Sequence, residues 1–138
     1  MERSQELEGL MERMYEAMRS GDVSAFEAAA VDDVLVIGTD PDEWWRGRDA
    51  VVASFRAQTE PVGGGFSVLV QAGSPVAYSN GDTGWIADRP AMPLPTGQTG
   101  NFRLTAVTVR EGGDWKIAQM HFSIGVPNEQ AFGEELRT

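Results

Sequence analysis

The chain has 138 residues, the size of one domain, and it carries 21 acidic against 11 basic residues for a net charge of −10. It contains no cysteine and one histidine, His121, which excludes disulfides, thiolate chemistry and multi-histidine metal sites. The excess of carboxylates argues against nucleic acid as a partner, and no apolar run approaches the length of a membrane span.

The charge is unevenly distributed along the chain. Residues 1–43 carry twelve acidic and three basic residues, whereas residues 44–138 carry nine and eight. An acidic run of this kind is typical of a solvated surface. The first residues lack the basic start and apolar stretch of a secretory signal, so we expect a cytoplasmic protein.

The N-terminal half predicts three helices and one strand. Apolar residues recur at helical spacing in the first and last of these helices, and Asp22 follows Gly21 as a helix-capping residue. In chain order the predicted elements are a helix at 4–19, a short helix from Asp22 to about Ala30, a strand at 34–37, a loop at 39–47 and a helix from Arg48 to about Gln58. The triplet Gly63–Gly65 is predicted as a loop, and it does not join a strand to a helix as a phosphate-binding loop would. We therefore predict no cofactor.

The C-terminal half predicts an antiparallel meander, and three helices followed by a meander indicate the α+β class. The Asn80-Gly81 pair is a strong hairpin signal, and Gly112-Gly113 predicts a second turn. The predicted strands lie at 66–78, 83–91, 101–110 and 115–124. The first is either one long or bent strand or a strand interrupted at Gly73-Ser74-Pro75.

The last predicted hairpin has two chemically different faces. If its loop has an odd number of residues, Thr105 lies opposite His121, and one face is almost wholly apolar and should pack on the helices. That face contains Phe102, Leu104, Ala106, Ala118, Met120 and Phe122. The other face mixes apolar with polar side chains, namely Trp115, Ile117, Val107, Val109, Arg103, Thr105, Gln119, His121 and Ser123. Because such a face suits neither water nor a core, we predict a homodimer through its Arg103, Thr105, Gln119 and His121 side. An even-numbered loop would swap the two faces.

Two stretches together carry a resemblance to a known family. One is Val36-Ile37-Gly38-Thr39-Asp40-Pro41-Asp42-Glu43-Trp44-Trp45-Arg46-Gly47, and the other combines residues 103–107, 115–117 and 121–123. They resemble the SnoaL-like branch of the nuclear transport factor 2-like superfamily, over about residues 6–124. The resemblance implies a cone-shaped α+β fold, in which three N-terminal helices pack in the concave face of a highly curved, mixed and mainly antiparallel sheet. It also implies a pocket between helices and sheet, dimers through the outer sheet face, and one domain over 1–138 with a C-terminal tail at 125–138.

This superfamily contains isomerases, cyclases, dehydratases, transport factors and a kinase association domain, so the fold alone does not give the function. Ketosteroid isomerase chemistry needs a carboxylate base beside a Tyr and a protonated Asp. The resemblance places Met14 and Ala106 at the latter two positions. The leading hypothesis is therefore a domain that binds a small organic molecule in a largely apolar pocket. The alternatives are an isomerase-, cyclase- or dehydratase-type enzyme with a pocket carboxylate as base, and a protein-interaction or oligomerisation module.

The catalytic candidates are Asp40, Glu43 and His121. Histidine is the side chain that most readily exchanges protons near neutral pH, but catalysis requires it to face the pocket. The face analysis instead favours a structural His121 opposite Thr105. A carboxylate held against the neighbouring indoles could act as a base, while the three carboxylates of this loop lack the pattern of a calcium site, so we predict no metal.

The ligand-binding candidates are aromatic or polarizable side chains that suit a flat or apolar molecule. They are Tyr15, Trp44, Trp45, Trp85, Met120 and Phe122, with Trp44 expected at the pocket mouth. For Arg89 and Arg103 we expect a structural ion pair with Asp88 or with an acidic residue of a partner.

Overall fold

In the computed structural model, which describes residues 1–59, 70–94 and 96–133, four helices accompany one seven-stranded sheet. The helices are α1 (Gln5–Ser20), α2 (Val23–Ala29), α3 (Arg48–Thr59) and α4 (Asn128–Phe132). The strands are β1 (Glu2–Arg3), β2 (Ala30–Ile37), β3 (Trp44–Arg46), β4 (Val76–Asn80), β5 (Thr83–Asp88), β6 (Phe102–Glu111) and β7 (Asp114–Ile124). None of the helices in these ranges is long and apolar enough to cross a membrane. The predicted loop at Gly63–Gly65 lies outside the described residues.

The Asp22 cap at the start of α2 acts as predicted, and α1 is capped at both of its ends. The Ser4 hydroxyl accepts a hydrogen bond from the Leu7 N–H, and the Asp22 carboxylate accepts one from the Ala25 N–H. Between the two helices, Gly21 adopts a φ of 71°, a left-handed conformation that glycine tolerates best. The apolar stripe of α1 is buried against the sheet, so helical periodicity identified both the helix and its packing face.

The sheet is mixed and mainly antiparallel, as expected. Its strand order is β1-β4-β5-β6-β7-β2-β3, and the β2–β7 pair is the parallel one. Helices α1 to α3 precede most of the sheet in the chain, and α1, β2, β5, β6 and β7 share one buried core. This arrangement confirms the α+β class.

For the described residues 70–78, the structure agrees with the alternative of a segment interrupted at Gly73-Ser74-Pro75: Gln71 forms an isolated bridge with Ala91, and β4 begins only at Val76. The N–H groups of Gly73 and Ser74 donate to the Asp88 carboxylate instead of a neighbouring strand. Pro75 has no N–H to offer a ladder. Residues 66–69 lie outside the described ranges.

The predicted loop at 39–47 contains a strand, which sequence reasoning missed. Strand β3 pairs with β2, with Val36 opposite Trp45 and Ile37 opposite Trp44. The Gly38 N–H donates to the Glu43 carbonyl at 2.9 Å and closes the connecting loop. The two tryptophans therefore point to opposite faces of the sheet, because side chains alternate along a strand.

The β6–β7 hairpin has the predicted pairing of Thr105 with His121, but its loop is shorter than expected and a bulge restores this pairing. Its loop has two residues, Gly112 and Gly113, with φ values of 62° and 87°, and so is even rather than odd. A bulge opposite Val107 and Thr108 adds one residue, Ala118, to β7. Beyond the bulge Thr105 lies opposite His121, as predicted.

The same bulge overturns part of the predicted outer face. Between the turn and the bulge, inward and outward positions exchange, so Trp115 and Ile117 are buried in the core with Thr108. The outer surface of β6 and β7 beyond the bulge keeps Arg103, Thr105, Val107, Gln119 and His121.

Candidate functional site

A cavity of about 350 Å³ lies between α1, α2, α3 and the inner face of the sheet. Apolar side chains supply most of its wall, and the polar side chains among the described lining residues are Tyr15, Thr39, Glu43, Ser54 and Gln58. The apolar lining consists of Met18, Phe26, Val36, Ile37, Trp45, Val51, Phe55, Val70, Met92, Leu104, Met120 and Phe122, with Gly38 at the end of β2. Such a chamber suits a molecule with a largely apolar body.

One end of the cavity is fixed by a buried contact between Tyr15 and Asp88. The Tyr15 hydroxyl donates a hydrogen bond to Asp88 Oδ2 at 2.8 Å, across 73 residues of sequence. The N–H groups of Gly73 and Ser74 donate to the same carboxyl group at 3.0 and 2.8 Å. Burial raises the pKa of the Tyr15 phenol, and its hydrogen bond to Asp88 raises it further. The Tyr15 hydroxyl thus donates its hydrogen bond to Asp88 rather than to a ligand.

The observed contact of Asp88 with Tyr15 differs from the contact predicted from the sequence, which was an ion pair with an arginine. The expected ion pair with Arg89 or Arg103 is absent from the described structure, where Arg103 Nε donates to Ser123 Oγ at 3.3 Å. The sequence did hold a signal for the observed role. Gly84, Ile86 and Asp88 alternate along β5 on its buried side, which predicts an inward-pointing carboxyl group.

The other end of the cavity is shaped by the loop between β2 and β3. The Glu43 side chain folds back into this loop, where its Oε1 accepts a hydrogen bond from the Asp40 N–H at 2.9 Å. The Glu43 N–H donates to the Asp40 carbonyl at 3.0 Å. Glu43 lines the cavity, whereas Asp40 is exposed on the outside of the loop and is not part of the lining.

Four of the six predicted ligand-binding residues line the cavity: Tyr15, Trp45, Met120 and Phe122. The other two, Trp44 and Trp85, face away from it. Trp44 is 53% exposed and Trp85 is 38% exposed on the outer side of the sheet. The expectation of Trp44 at the pocket mouth is therefore corrected to Trp45, its neighbour on the opposite face of β3.

His121 lies on the outer face of the sheet, opposite Thr105, and does not contact the cavity. Of the three catalytic candidates, only Glu43 is part of the lining. The enzyme hypothesis that combines a cavity carboxylate with His121 is thus inconsistent with the structure. Among the described residues, no group of three or more His, Asp and Glu side chains could hold a metal ion.

Helices α2 and α3 and the segment after β5 supply lining residues that were not predicted to bind a ligand. Phe55 and Ser54 come from α3, Phe26 from α2, and Met92 from the segment after β5. Phe55 belongs to the apolar positions that predicted the third helix and its buried face. The sequence does not indicate whether a side chain on that face borders a core or a cavity.

Comparison with known proteins agrees with this geometry. A family model for the SnoaL-like domain matches residues 7–127. A protein with the nuclear transport factor 2-like (NTF2-like) fold and unknown function from Pseudomonas putida KT2440 superimposes with a TM-score of 0.78 at 21% identity, covering 95% of this chain and 91% of that one.

Two further solved structures carry a cystatin-like fold. An uncharacterized protein from Caulobacter vibrioides has a TM-score of 0.70 at 18% identity and covers 91% of each chain. A protein of unknown function from Nostoc punctiforme has a TM-score of 0.72 at 14% identity, covering 91% of this chain and 96% of that one. No curated protein matches the chain. The match over residues 7–127 shows that this chain belongs to the SnoaL-like family, and the likeness to the solved structures shows that it shares their fold.

Proposed function

We propose that the protein binds a small, largely apolar organic molecule in the cavity between its helices and its sheet. The observation that carries this proposal is the cavity itself. Its volume of about 350 Å³ lies within the usual range of small-molecule sites. Protein interiors are normally close-packed, so a chamber of this size between helices and sheet is an unusual feature for a purely structural domain.

The arrangement of the wall supports the same proposal. Aromatic and methionine side chains cover the interior, where they can adapt to an apolar shape. The polar residues Thr39 and Gln58 are both exposed, so they stand at the rim. This division gives an apolar interior with a few polar groups that can orient a ligand.

The test measures binding of an uncharged aromatic probe, 2-(2-naphthyl)ethanol, by isothermal titration calorimetry. We expect saturable binding with one molecule per chain. Ser54→Phe should abolish binding, because Ser54 lines the cavity and the added ring would occupy its volume. The matched control is Ala53→Phe, which adds nearly the same bulk at the adjacent exposed position of α3.

Binding of the probe to the Ser54→Phe variant with unchanged affinity would place the ligand elsewhere and contradict the proposal. Absence of binding to the unmodified protein would also contradict it. Loss of binding in both variants would point to a general disturbance of α3. Circular dichroism of both variants establishes that the fold is retained.

We also propose that two copies associate through the outer face of the sheet. This face is defined by Trp44, Tyr78, Trp85, Thr105, Val107, Gln119 and His121, with Arg103 at one end. Val107 is 42% exposed, and the Tyr78 and Trp85 rings stack at 5.2 Å between centroids. None of these residues is acidic, although the chain has a net charge of −10. Two such chains repel each other least through this face, so a second copy is the occupant that fits it best.

A further inference from the structure

Glu43 adds a carboxylate to a cavity wall that is otherwise mostly apolar. We propose that the cavity selects an organic cation, in which an apolar body carries a protonated amine that pairs with the Glu43 carboxylate. This inference rests on the proposed small-molecule function and names the class of molecule. It is carried by the position of the carboxylate, by the absence of a basic side chain from the described cavity lining, and by the aromatic side chains around it.

The Glu43 carboxylate lies on the cavity side of β2. Val36 points inward and lines the cavity, so Gly38, two residues further on, faces the same way. A Cβ atom built on Gly38 would approach Glu43 Oε2 to 2.6 Å. The carboxylate therefore occupies the space that any other side chain at position 38 would fill, and the absence of a side chain there makes room for it.

The carboxylate is held in place while one of its oxygens is left without a described partner. The Asp40 N–H donates to Oε1, and two further backbone hydrogen bonds between this loop and Glu43 fix the main chain. Within the described residues, no hydrogen bond or ion pair reaches Oε2. A positioned oxygen of this kind can accept a hydrogen bond from a ligand without further ordering of the side chain.

Among the described residues, no basic side chain forms an ion pair with this carboxylate or lines the cavity. The described lining contains no arginine, lysine or histidine. The stretch 59–69, which separates the lining residues Gln58 and Val70 in sequence, contains none either. The nearby acidic residues Asp40 and Asp42 are exposed, and they add negative potential that favours the approach of a cation.

Aromatic side chains complete the environment that an ammonium group prefers. Trp45 lies two residues after Glu43, so both side chains face the cavity from the same side of the chain. Phe55, Phe26 and Phe122 contribute further rings to the wall. The faces of aromatic rings attract cations, and a carboxylate beside a tryptophan is a favourable combination for binding a protonated amine.

The experiment compares three probes that share one ring system and differ in charge: 2-(2-naphthyl)ethylamine, 2-(2-naphthyl)ethanol and 2-naphthylacetate. Calorimetry near neutral pH should give an affinity for the amine about tenfold higher than for the alcohol, the size of effect expected for one partly solvated charge-assisted hydrogen bond. The acetate should bind most weakly. Glu43→Gln keeps an oxygen acceptor for the Asp40 N–H but removes the charge.

In the Glu43→Gln variant, the preference for the amine should disappear while the affinity for the alcohol stays within about twofold of the original. The matched control is Asp42→Asn, which removes one charge from the same loop at an exposed position outside the lining. It should retain the preference for the amine. Equal loss of preference in both variants would assign the effect to the general field of the loop and overturn the role of Glu43.

Two outcomes separate this inference from the function on which it rests. Equal affinity of the unmodified protein for the amine and the alcohol would overturn the inference and leave the binding function intact. No binding of any of the three probes would overturn both.

Discussion

The contact between Tyr15 and Asp88 joins α1 to the end of β5 and to the segment before β4. Tyr15 is fully buried, and Asp88 is 7% exposed. A buried carboxyl group is costly unless donors surround it, and here three donors converge on it. We infer that this contact keeps the Tyr15 end of the cavity in one shape.

We therefore predict that Tyr15→Phe lowers the free energy of unfolding by about 2 kcal/mol, because Asp88 stays buried with one donor fewer. Urea denaturation monitored by circular dichroism measures the change. Tyr78→Phe is the control, since it deletes the same atom from a ring on the outer face. An equal loss in both variants would contradict a special role for the buried hydroxyl.

The difference between the unmodified protein and Tyr15→Phe should also depend on pH. Because folding raises the pKa of Tyr15, the stability that this phenol contributes is fully present below the ordinary tyrosine pKa of about 10. It declines as the pH rises above that value. Denaturation at pH 8 and at pH 10.5 should show a smaller difference between the two proteins at the higher pH. A constant difference would contradict the assignment.

Among the elements, the β6–β7 hairpin shows most clearly what a sequence can and cannot predict. Alternation of apolar and polar residues identified both strands, and the glycine pair identified the turn. The outward position of His121 was predicted for an odd-numbered loop, whereas the loop is even and the bulge restores the pairing with Thr105. The bulge at Ala118 was not predictable, because alanine has no local preference for a bulge and the extra residue is defined only by pairing with β6. One unpredicted residue was enough to move Trp115 and Ile117 from the expected outer face into the core.

Strand β3 was missed for a similar reason. It has three residues, and the Asp-Pro-Asp sequence before it favours a turn. Its conformation depends on hydrogen bonds to β2, which are contacts between separate segments. The first three helices were predicted closely, since their apolar spacing is local, whereas the five-residue α4 was not predicted. The cavity lining was predicted in part, because periodicity indicates which side chains face inward but not where the interior is empty.

The glycine turn of this hairpin carries its own prediction. Gly113 has a φ of 87°, and a methyl group added there would meet nothing within 4 Å, so Gly113→Ala adds backbone strain without a steric clash. We expect a loss of about 1–2 kcal/mol in the free energy of unfolding. Gly9→Ala, within α1, should instead stabilise the protein by about 0.5–1 kcal/mol, because alanine is the better helix former. Chemical denaturation of the two variants should show changes of opposite sign, and equal signs would contradict this account.

For the whole molecule, the negative charge is concentrated in a part of the chain that contributes no residue to the outer face defined above. Most of the negative charge belongs to residues 1–43, which include α1, α2, β2 and the loop after β2. The outer face defined above carries no acidic side chain. The acidic portion favours solubility and the approach of cations to the cavity, while the outer face suits association with a second copy.

We predict that the protein sediments as a dimer at micromolar concentration and that Thr105→Arg shifts it toward the monomer. Thr105 lies at the centre of the outer face, where two added arginines would oppose each other across a two-fold contact. Ala53→Arg, on the exposed side of α3, is the control and should leave the dimer intact. Sedimentation of the unmodified protein as a 15.0 kDa species would contradict the proposed interface.

The opposite orientations of Trp44 and Trp45 on β3 have a practical consequence for spectroscopy. Two adjacent fluorophores in the sequence lie on different sides of one sheet, one exposed to solvent and one beside the cavity. Variants that retain a single tryptophan at either position would give separate emission signals. The indole at position 45 should change its emission wavelength when a molecule enters the cavity, and the indole at position 44 should do so when two chains meet.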